Sequence, residues 1–259
     1  MKRIRIVLLS FTAVVFASAV VSGDAHGKAC VKELASCPMS GCETAGSPHG
    51  LGNAAKRTIP AAGTAIKLTF DDFAELQTLA DDLVDQNQDL TKEQRASLSD
   101  LKLKSPNRTV SEGDLVELTG FLIGLPNRPG ASGAESVNCR LTGQRNSDFH
   151  IPMARHSDDS EFEGIVVEMI PQGRNEGWTT KKLKNIAREG RPVIVRGQLF
   201  YDNKHLVNDD PDEPKQGQPK RYSLWEIHPV TELLVCMNAN KKCTKSSQFE
   251  ALEDLPDPS

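Results

Sequence analysis

Two pairs of side chains in this sequence place a carboxylate two residues before an imidazole. Asp148 precedes His150 in "NSDFHIPMARH", and Glu226 precedes His228 in "SLWEIHPVTELLVC". Side chains two residues apart on a strand point to the same face, so each pair shares a face of its sheet. A further histidine, His205, begins a long polar loop. If these faces converge, the five side chains could coordinate a divalent transition metal and activate a water molecule for hydrolysis.

The same residues also suit a structural role, which their order in the sequence favours. A carboxylate that alternates with a histidine on a half-buried strand commonly makes cross-strand hydrogen bonds. Trp225 and Ile227, on the opposite face, would then fill the core. Pro229 would mark a bend or an edge, because it cannot donate to the ladder. We therefore interpret this stretch as a structural last strand without a cofactor, and keep one divalent transition metal as the alternative.

Other catalytic patterns do not occur in the sequence. It contains no G-x-S-x-G nucleophile elbow, no phosphate-binding P-loop and no dinucleotide-binding glycine pattern. The acidic stretch 85–96 has the alternating oxygen side chains of a calcium loop. However, Leu90 stands where that loop needs glycine, and Ala96 stands where it needs a bidentate Glu. The His and carboxylate pairs are therefore the remaining catalytic candidates.

The charge balance argues against general binding to nucleic acid. The sequence has 31 Lys and Arg against 35 Asp and Glu, a formal charge of −4. Loss of residues 1–23, which contain three basic residues and no acidic one, would make the charge −7. Phosphate backbones instead attract clustered cations. Aromatic platforms for a ligand are also few, and the candidates are Phe149, Trp178, Tyr201 and Tyr222, with Arg221 beside them. We expect a glycan or protein partner in preference to nucleic acid.

Residues 1–23 have the order of a secretory signal peptide. Basic residues at positions 2, 3 and 5 precede an apolar run from position 6 to 21, and small residues follow. The run is short for a membrane anchor, which needs about 20 apolar residues with suitable flanks. We predict cleavage after "VSG", or alternatively after "ASA", which leaves a secreted or periplasmic protein with no stable membrane span.

Six cysteines follow this segment, an even number in a compartment that permits disulfides. They are Cys30, Cys37, Cys42, Cys139, Cys236 and Cys243. Three bridges are predicted, but the sequence does not choose among the pairings. The shortest loops would join Cys236 to Cys243 and two of the first three cysteines. A metal site formed by the first three cysteines and His49 is disfavoured, because the spacing lacks the close C-x2-C pair of zinc sites.

The rest of the chain divides by pattern. Residues 24–68 are rich in Gly, Pro, Ser and Cys without periodicity, which predicts a loop-rich segment. Residues 69–109 predict two helices, one starting at Thr69 with Asp72 in capping-box spacing and one at Thr91 with Gln94. Residues 110–238 contain strand patterns, and residues 239–259 form a polar C-terminal tail.

The strand patterns of residues 110–238 have a distinctive order. They are "GDLVELTGFLIG", "SVNCRL", "DFHIPMA" and "EGIVVEMIP", followed by the helix "TTKKLKNIAREG" and the strands "RPVIVRGQLFYD" and "YSLWEIHPVTELLVC". The helix should start at Thr179 or Thr180 and end at Gly190. Glycines occur inside two strands, at Gly120 and Gly197.

This order resembles the five-stranded Greek-key barrel of the OB-fold superfamily. The phrases "GDLVELTGFL" and "GRPVIVRGQLF" resemble the first and fourth strands of that family, where glycine permits the tight coiling of a small barrel. The chain as a whole resembles an exported bacterial OB-type protein. OB-folds bind oligonucleotides, oligosaccharides or proteins across strands 2 and 3 and the neighbouring loops, so the resemblance implies binding and leaves the ligand open.

The predicted fold class is mainly β within an α+β chain: a five-stranded OB-type barrel with an N-terminal helical, cysteine-containing extension. We expect a binding or structural module for an oligosaccharide, protein or nucleic acid rather than an enzyme. The alternative is a metal-dependent hydrolase, nuclease-like in one form, whose metal ligands would be Asp148, His150, His205, Glu226 and His228.

Overall fold

The computed structural model describes residues 28–104, 108–124, 134–238 and 240–258. The predicted signal peptide lies outside these residues. The four helices of the described chain are α1 (Pro48–Arg57), α2 (Phe70–Asp81), α3 (Lys92–Ser97) and α4 (Thr180–Glu189). Its strands are β1 (Ile66–Leu68), β2 (Leu101–Leu103), β3 (Arg108–Val110), β4 (Leu115–Leu122), β5 (Phe149–Ala154), β6 (Ile165–Met169), β7 (Pro192–Tyr201), β8 (Trp225–Cys236) and β9 (Phe249–Ala251). In these residues we find no helix long and apolar enough to cross a membrane.

Five strands close into a mixed barrel. The order is β4, β5, β6, β8 and β7, and β7 pairs back onto β4 along the register from Leu115 with Gln198 to Phe121 with Pro192. The β6–β8 pair is parallel and the other four barrel pairs are antiparallel. Strand β1 pairs with β4 and β9 pairs with β8, as two additional strands. The predicted fold class is confirmed, while membership of the OB superfamily stays a prediction.

The two faces of the barrel strands differ in chemistry. Val167, Leu199 and Ile227 belong to one contiguous apolar core, which fills the barrel. Because side chains alternate along a strand, their neighbours Glu168, Phe200 and His228 lie on the outer face. A set of buried polar groups therefore lies outside the barrel core.

Three predicted helices form with their predicted signals. Thr69 with Asp72 and Thr91 with Gln94 make capping boxes at the starts of α2 and α3. Helix α4 starts after Thr179, whose side chain accepts a hydrogen bond from the backbone of Lys182, and it ends at Gly190 in the left-handed region at φ 57°.

Three segments differ from their predictions. Residues 48–57 form α1 inside the segment predicted to be loop-rich, because Ser47 caps the helix and Pro48 occupies its first turn. The run "SVNCRL" is a 3-10 turn, and Cys139 and Arg140 both have positive φ, which no strand permits. The polar tail docks on the barrel through β9 and the buried Leu252.

All six cysteines are paired within the described chain. The bridges are Cys30 with Cys42, Cys37 with Cys139 and Cys236 with Cys243. The predicted disulfides are confirmed, including the two short-loop pairs. The long-range bridge ties the N-terminal segment to the β4–β5 connection. Three disulfides are typical of proteins from an oxidising compartment.

Candidate metal centre

A cluster of histidines and carboxylates lies on the outer face of β5, β6 and β8. His150 on β5 stands directly opposite Glu168 on β6. The parallel pairing of Val167 with Ile227 brings Glu168 beside His228. Glu168 is therefore placed between two imidazoles by strand register alone.

Glu168 contacts both imidazoles with different oxygens. Its Oε1 lies 3.3 Å from His150 Nδ1, and its Oε2 lies 3.0 Å from His228 Nδ1. The Nε2 atom of His150 lies 3.5 Å from Glu135 Oε1, which belongs to the β4–β5 connection. The Nδ1 atom of His228 is also 3.4 Å from Glu226 Oε2. These contacts form one continuous polar network.

Asp148 connects two groups that have the composition of metal sites. In the first group, Glu135, Asp148 and His150 each offer one ligand atom, and these three atoms lie within 4.8 Å of one another. The same holds for Asp148, Glu168 and His228. Imidazole nitrogen and carboxylate oxygen are ligands for zinc, manganese or iron in proteins. The arrangement therefore offers two adjoining positions for a divalent cation that share Asp148.

Several atoms of this cluster lack the hydrogen-bond partners that buried polar atoms normally have. Asp148, Glu168 and His228 are each 2 % exposed or less. No hydrogen bond or ionic contact reaches Asp148 Oδ2 or His228 Nε2, whereas Glu168 Oε2 and His150 Nε2 have only their contacts with His228 Nδ1 and Glu135 Oε1. Asp148 belongs to both candidate ligand groups, and His228 belongs to one of them. A bound cation would satisfy oxygen and imidazole atoms of this kind.

The charges around the cluster are unbalanced. Five carboxylates lie in the connected network, those of Glu135, Asp148, Glu168, Asp202 and Glu226. Two permanent cations lie among them. The fully buried guanidinium of Arg221 bridges Glu226 and Asp202, and Lys56 Nζ lies 3.5 Å from Asp202 Oδ1. The excess of negative charge in a buried region must be met by protons or by a cation.

The pKa shifts reflect this excess. Burial, together with Glu135, raises the pKa of Asp148 to about 7. Burial lowers the pKa of His150, but Glu168 and Glu135 outweigh it and raise that pKa to about 10. The pKa of His228 is lowered, because its complete burial outweighs the attraction of Glu168. The cluster therefore holds a proton on His150 at neutral pH, and Asp148 titrates near neutral pH.

Helix α1 covers part of this face and encloses a cavity of about 240 Å³ beside the cluster. The cavity is bounded by α1, the β4–β5 connection, the β7–β8 loop and Arg95 of α3. Ten of its thirteen lining residues have polar side chains, which are His49, Asn53, Lys56, Arg95, Glu135, Ser136, Asp202, Asn203, Lys204 and His205. Glu135 lines the cavity and also contacts His150, so the cavity adjoins the metal-type groups.

Specific contacts hold α1 in place. Asn53 Nδ2 donates to Ser136 Oγ at 2.9 Å, and His49 Nε2 lies 3.0 Å from the same oxygen. Gln198 of β7 donates to the backbone oxygen of Ala55 at 2.7 Å. The disulfide of Cys37 and Cys139 joins the two segments covalently. The cavity wall is therefore a fixed part of the fold.

The structure brings together some of the predicted metal ligands and not others. Asp148, His150 and His228 converge. Glu226 contacts His228 but is neutralised by Arg221, and it belongs to neither metal-type group. His205 lies in the cavity wall instead, where its Nε2 is 3.4 Å from Asp202 Oδ2.

Sequence reasoning missed Glu135 and Glu168. Glu168 had a usable signal, since it is a carboxylate inside the apolar run "IVVEMI" of a strand that is buried on both faces. Glu135 lies in an irregular connection, where no sequence pattern indicated a buried carboxylate. The last strand also differs from the half-buried element predicted, because both Glu226 and His228 are fully buried. Pro229 lies where the pairing of β7 and β8 shifts register, which agrees with the predicted bend.

The side chains predicted to bind a ligand do not form an exposed surface. Phe149, Trp178, Tyr201 and Arg221 are each no more than 5 % exposed. Three are packed in or against the apolar core, and Arg221 is enclosed by its carboxylate partners. Tyr222 is half-buried and donates its hydroxyl to the backbone of Phe70. The prediction treated amphipathic side chains as exposed, whereas barrel closure buries them.

Comparison of the chain with protein-family models, with curated proteins and with solved structures finds no match. The geometry of the cluster and its cavity is therefore the basis for a functional interpretation.

Proposed function

We propose that this chain is an exported metal-dependent hydrolase that binds a divalent transition metal at Glu135, Asp148, His150, Glu168 and His228. The observation that carries the proposal is the pair of buried, unpartnered ligand atoms Asp148 Oδ2 and His228 Nε2, within a cluster that has excess negative charge. A metal bound there would supply Lewis acidity and a water molecule of lowered pKa. The neighbouring cavity would hold the substrate next to that water.

The surrounding residues have roles that follow from their contacts. Glu226 accepts from Arg221 and lies 3.4 Å from His228 Nδ1, and Glu168 Oε2 lies 3.0 Å from the same atom, so the two carboxylates together orient this imidazole. Phe200 packs edge-on against the same imidazole, with ring centroids 5.5 Å apart, and separates it from the cavity. Carboxylate and aromatic neighbours of this kind position a metal-binding histidine and exclude bulk water.

The outer face of the barrel is partly covered, and this favours a hydrolase that acts on small substrates rather than a module that binds extended ligands. OB-type barrels bind oligonucleotides and oligosaccharides across strands 2 and 3, which correspond here to β5 and β6. Helix α1 and the β4–β5 connection occupy part of that face. The remaining cavity is smaller than the range of about 300–1,000 Å³ typical of small-molecule sites. A binding module for a glycan or protein remains the second candidate, with its partner on another surface.

Metal content tests the proposal directly. Protein purified in oxidised form without chelator or added metal should contain at least one zinc, manganese or iron ion per chain. Replacing Glu168→Gln or His228→Asn should remove the metal, because each change deletes a buried ligand. The matched control is His156→Ala, which changes an exposed histidine outside the cluster and should leave the metal content unchanged.

Activity is measured on the same samples with chromogenic phosphate, carboxylate and glycoside esters. Hydrolysis that requires the metal and disappears in both ligand variants would support the hydrolase. A protein that stays metal-free in excess zinc and manganese, with correct disulfides, would refute the proposal and favour the binding module.

Export to a secreted or periplasmic location is part of the proposal. Its support is the signal-like sequence of residues 1–23 and the three disulfides. N-terminal sequencing of protein recovered outside the cytoplasm should find a new terminus after Gly23 or Ala19. Recovery of the uncleaved chain in the cytoplasm would contradict it.

A further inference from the structure

The unpartnered buried atoms around the site divide into two chemical kinds. Those of the histidine and carboxylate cluster are Asp148 Oδ2 and His228 Nε2, a carboxylate oxygen and an imidazole nitrogen that can bind a cation. Those in the cavity wall, among the described residues, are Asn203 Nδ2 and Arg95 Nε, and both are hydrogen-bond donors. The cluster therefore suits a cation, whereas the cavity suits an acceptor.

Asn203 gives the clearest indication. It is 1 % exposed and lines the cavity. Its Oδ1 accepts a hydrogen bond from an Arg95 terminal nitrogen at 3.1 Å, which identifies the unpartnered atom as the amide nitrogen. A buried donor left without a partner costs free energy comparable to a lost hydrogen bond. A ligand with acceptor oxygens would recover that cost.

Cationic side chains reach the same cavity from three elements. Lys56 belongs to α1, Arg95 to α3 and Lys204 to the β7–β8 loop, and each also pairs with one carboxylate, those of Asp202, Glu112 and Asp89 respectively. Lys56 and Arg95 both lie over the ring of Phe200, at 5.5 Å and 5.3 Å from its centroid. Donors that approach from several directions suit a tetrahedral anion better than a planar carboxylate.

We infer that the cavity is a phosphate subsite and that the substrate of the proposed hydrolase is a phosphate ester. The inference rests on the proposed function for its reaction, but not for the binding of the anion. The ester phosphate would contact Asn203, Arg95 and Lys56, next to Glu135 and the metal cluster. Water would add to phosphorus, the bond from phosphorus to the ester oxygen would break, and the departing alkoxide would take up the proton of the water.

The test is calorimetric titration of inorganic phosphate into the full-length, metal-stripped protein. Phosphate should bind, and acetate should bind at least about tenfold more weakly. Asn203→Asp keeps the oxygen that accepts from Arg95 but removes the donor and adds a negative charge. Lys56→Met removes one cation. Each change should lower the association constant for phosphate at least about tenfold, since a hydrogen bond to a charged group is lost.

Controls separate the subsite from folding and from the metal. Lys181→Met makes the same change on the exposed face of α4 and should leave phosphate binding unaltered. Lys204→Met, at the partly exposed rim, gives a second readout if either buried variant does not fold. No phosphate binding, equal binding of acetate, or binding that survives the cavity changes would overturn the inference. Because these titrations contain no metal, their result does not depend on the metal analysis, which tests the hydrolase itself.

Discussion

Two buried aspartates show how neighbours decide the sign of a pKa shift. Asp148 and Asp202 are both nearly inaccessible to solvent, so burial favours the neutral form of each. Around Asp148 the neighbouring carboxylate of Glu135 adds to burial, and the pKa rises to about 7. Around Asp202 the cations Lys56 and Arg221 outweigh burial, and the pKa falls well below its ordinary value of 3.8. Asp202 is therefore ionised and structural, whereas Asp148 is suited to exchange a proton for a cation.

Asp202→Asn should lower the free energy of unfolding by about 3–5 kcal/mol at pH 7, because it leaves Arg221 and Lys56 buried with less compensation. A carboxylate whose folded pKa is depressed stabilises the fold above its unfolded pKa and loses that contribution as pH falls through its folded pKa. The difference in stability between wild type and variant should therefore be constant above about pH 5 and shrink below pH 3.8. Urea unfolding followed from pH 7 to pH 2 measures this.

Asp158→Asn is the control for this titration, because Asp158 is exposed. It should change the free energy of unfolding by less than about 0.5 kcal/mol at every pH. A difference for Asp202→Asn that stays constant down to pH 2 would contradict a depressed pKa.

At the residue level the sequence predicted part of the candidate site. Spacing by two placed Asp148 with His150 and Glu226 with His228 on shared faces, and three of these four residues converge. It did not predict that Arg221 would neutralise Glu226, because the two residues meet only when the loop before β8 folds back over the strand. Glu135 could not be identified either, because its contact with His150 also depends on how distant parts of the chain fold together.

At the scale of elements, two glycines permit the barrel to close. A Cβ atom at Gly197 of β7 would lie 2.2 Å from the backbone oxygen of Pro229 on β8. One at Gly120 of β4 would lie 2.6 Å from the backbone oxygen of Ala154. The pairing of β7 with β8 shifts register on both sides of Gly197. The glycine marks a bulge that bends the strand around the barrel.

Gly197→Ala should destabilise the protein by at least about 2 kcal/mol, because the added methyl group overlaps backbone that cannot move without breaking the ladder. Chemical denaturation measures the loss. Gly63→Ala, where the added atom meets nothing within 4 Å, provides the matched substitution and should have little effect. Equal stabilities of the two variants would show that the barrel can accommodate a side chain at the bulge.

Local signals predicted most elements and failed where tertiary contacts override them. Capping boxes and a C-terminal glycine identified α2, α3 and α4. Helix α1 was not predicted, because Gly50 and Gly52 lower its intrinsic helix propensity. Gly50 is required there for space, since a Cβ would lie 2.2 Å from the backbone oxygen of Thr44. The packing of the N-terminal segment thus requires a glycine inside α1, and this glycine makes the sequence of the helix resemble that of a loop.

At the scale of the whole molecule, one disulfide secures the cover of the site. The bridge from Cys37 to Cys139 closes a separation of 102 residues, whereas Cys236 and Cys243 are 7 apart. In the chain-entropy account, longer loops give greater stabilisation. Replacing Cys37 and Cys139 with Ser should cost about 4–5 kcal/mol, and replacing Cys236 and Cys243 about 2 kcal/mol.

Urea unfolding of both double variants under non-reducing conditions compares these costs. Phosphate titration should also weaken only in the first double variant, because α1 supplies Lys56 to the cavity wall. A larger loss of stability from the short bridge would contradict this ranking.

A five-stranded barrel could be predicted because the glycine positions, the strand patterns and one intervening helix all agreed. The cover over the histidine and carboxylate cluster could not be predicted, since it depends on contacts between distant residues, such as Asn53 with Ser136, which are 83 positions apart. No periodicity in the sequence records a contact of that range.

The two additional strands have a consequence for how the molecule behaves at high concentration. Strands β4 and β8 extend past their barrel partners, and β1 and β9 pair with the main chain at residues 116–118 and 234–236. An exposed strand edge of this kind can act as a template for another chain. Strands β1 and β9 thus occupy these two edges and block strand addition from another molecule. Truncating the chain before Phe249 to shorten an expressed fragment would uncover one such edge and promote aggregation.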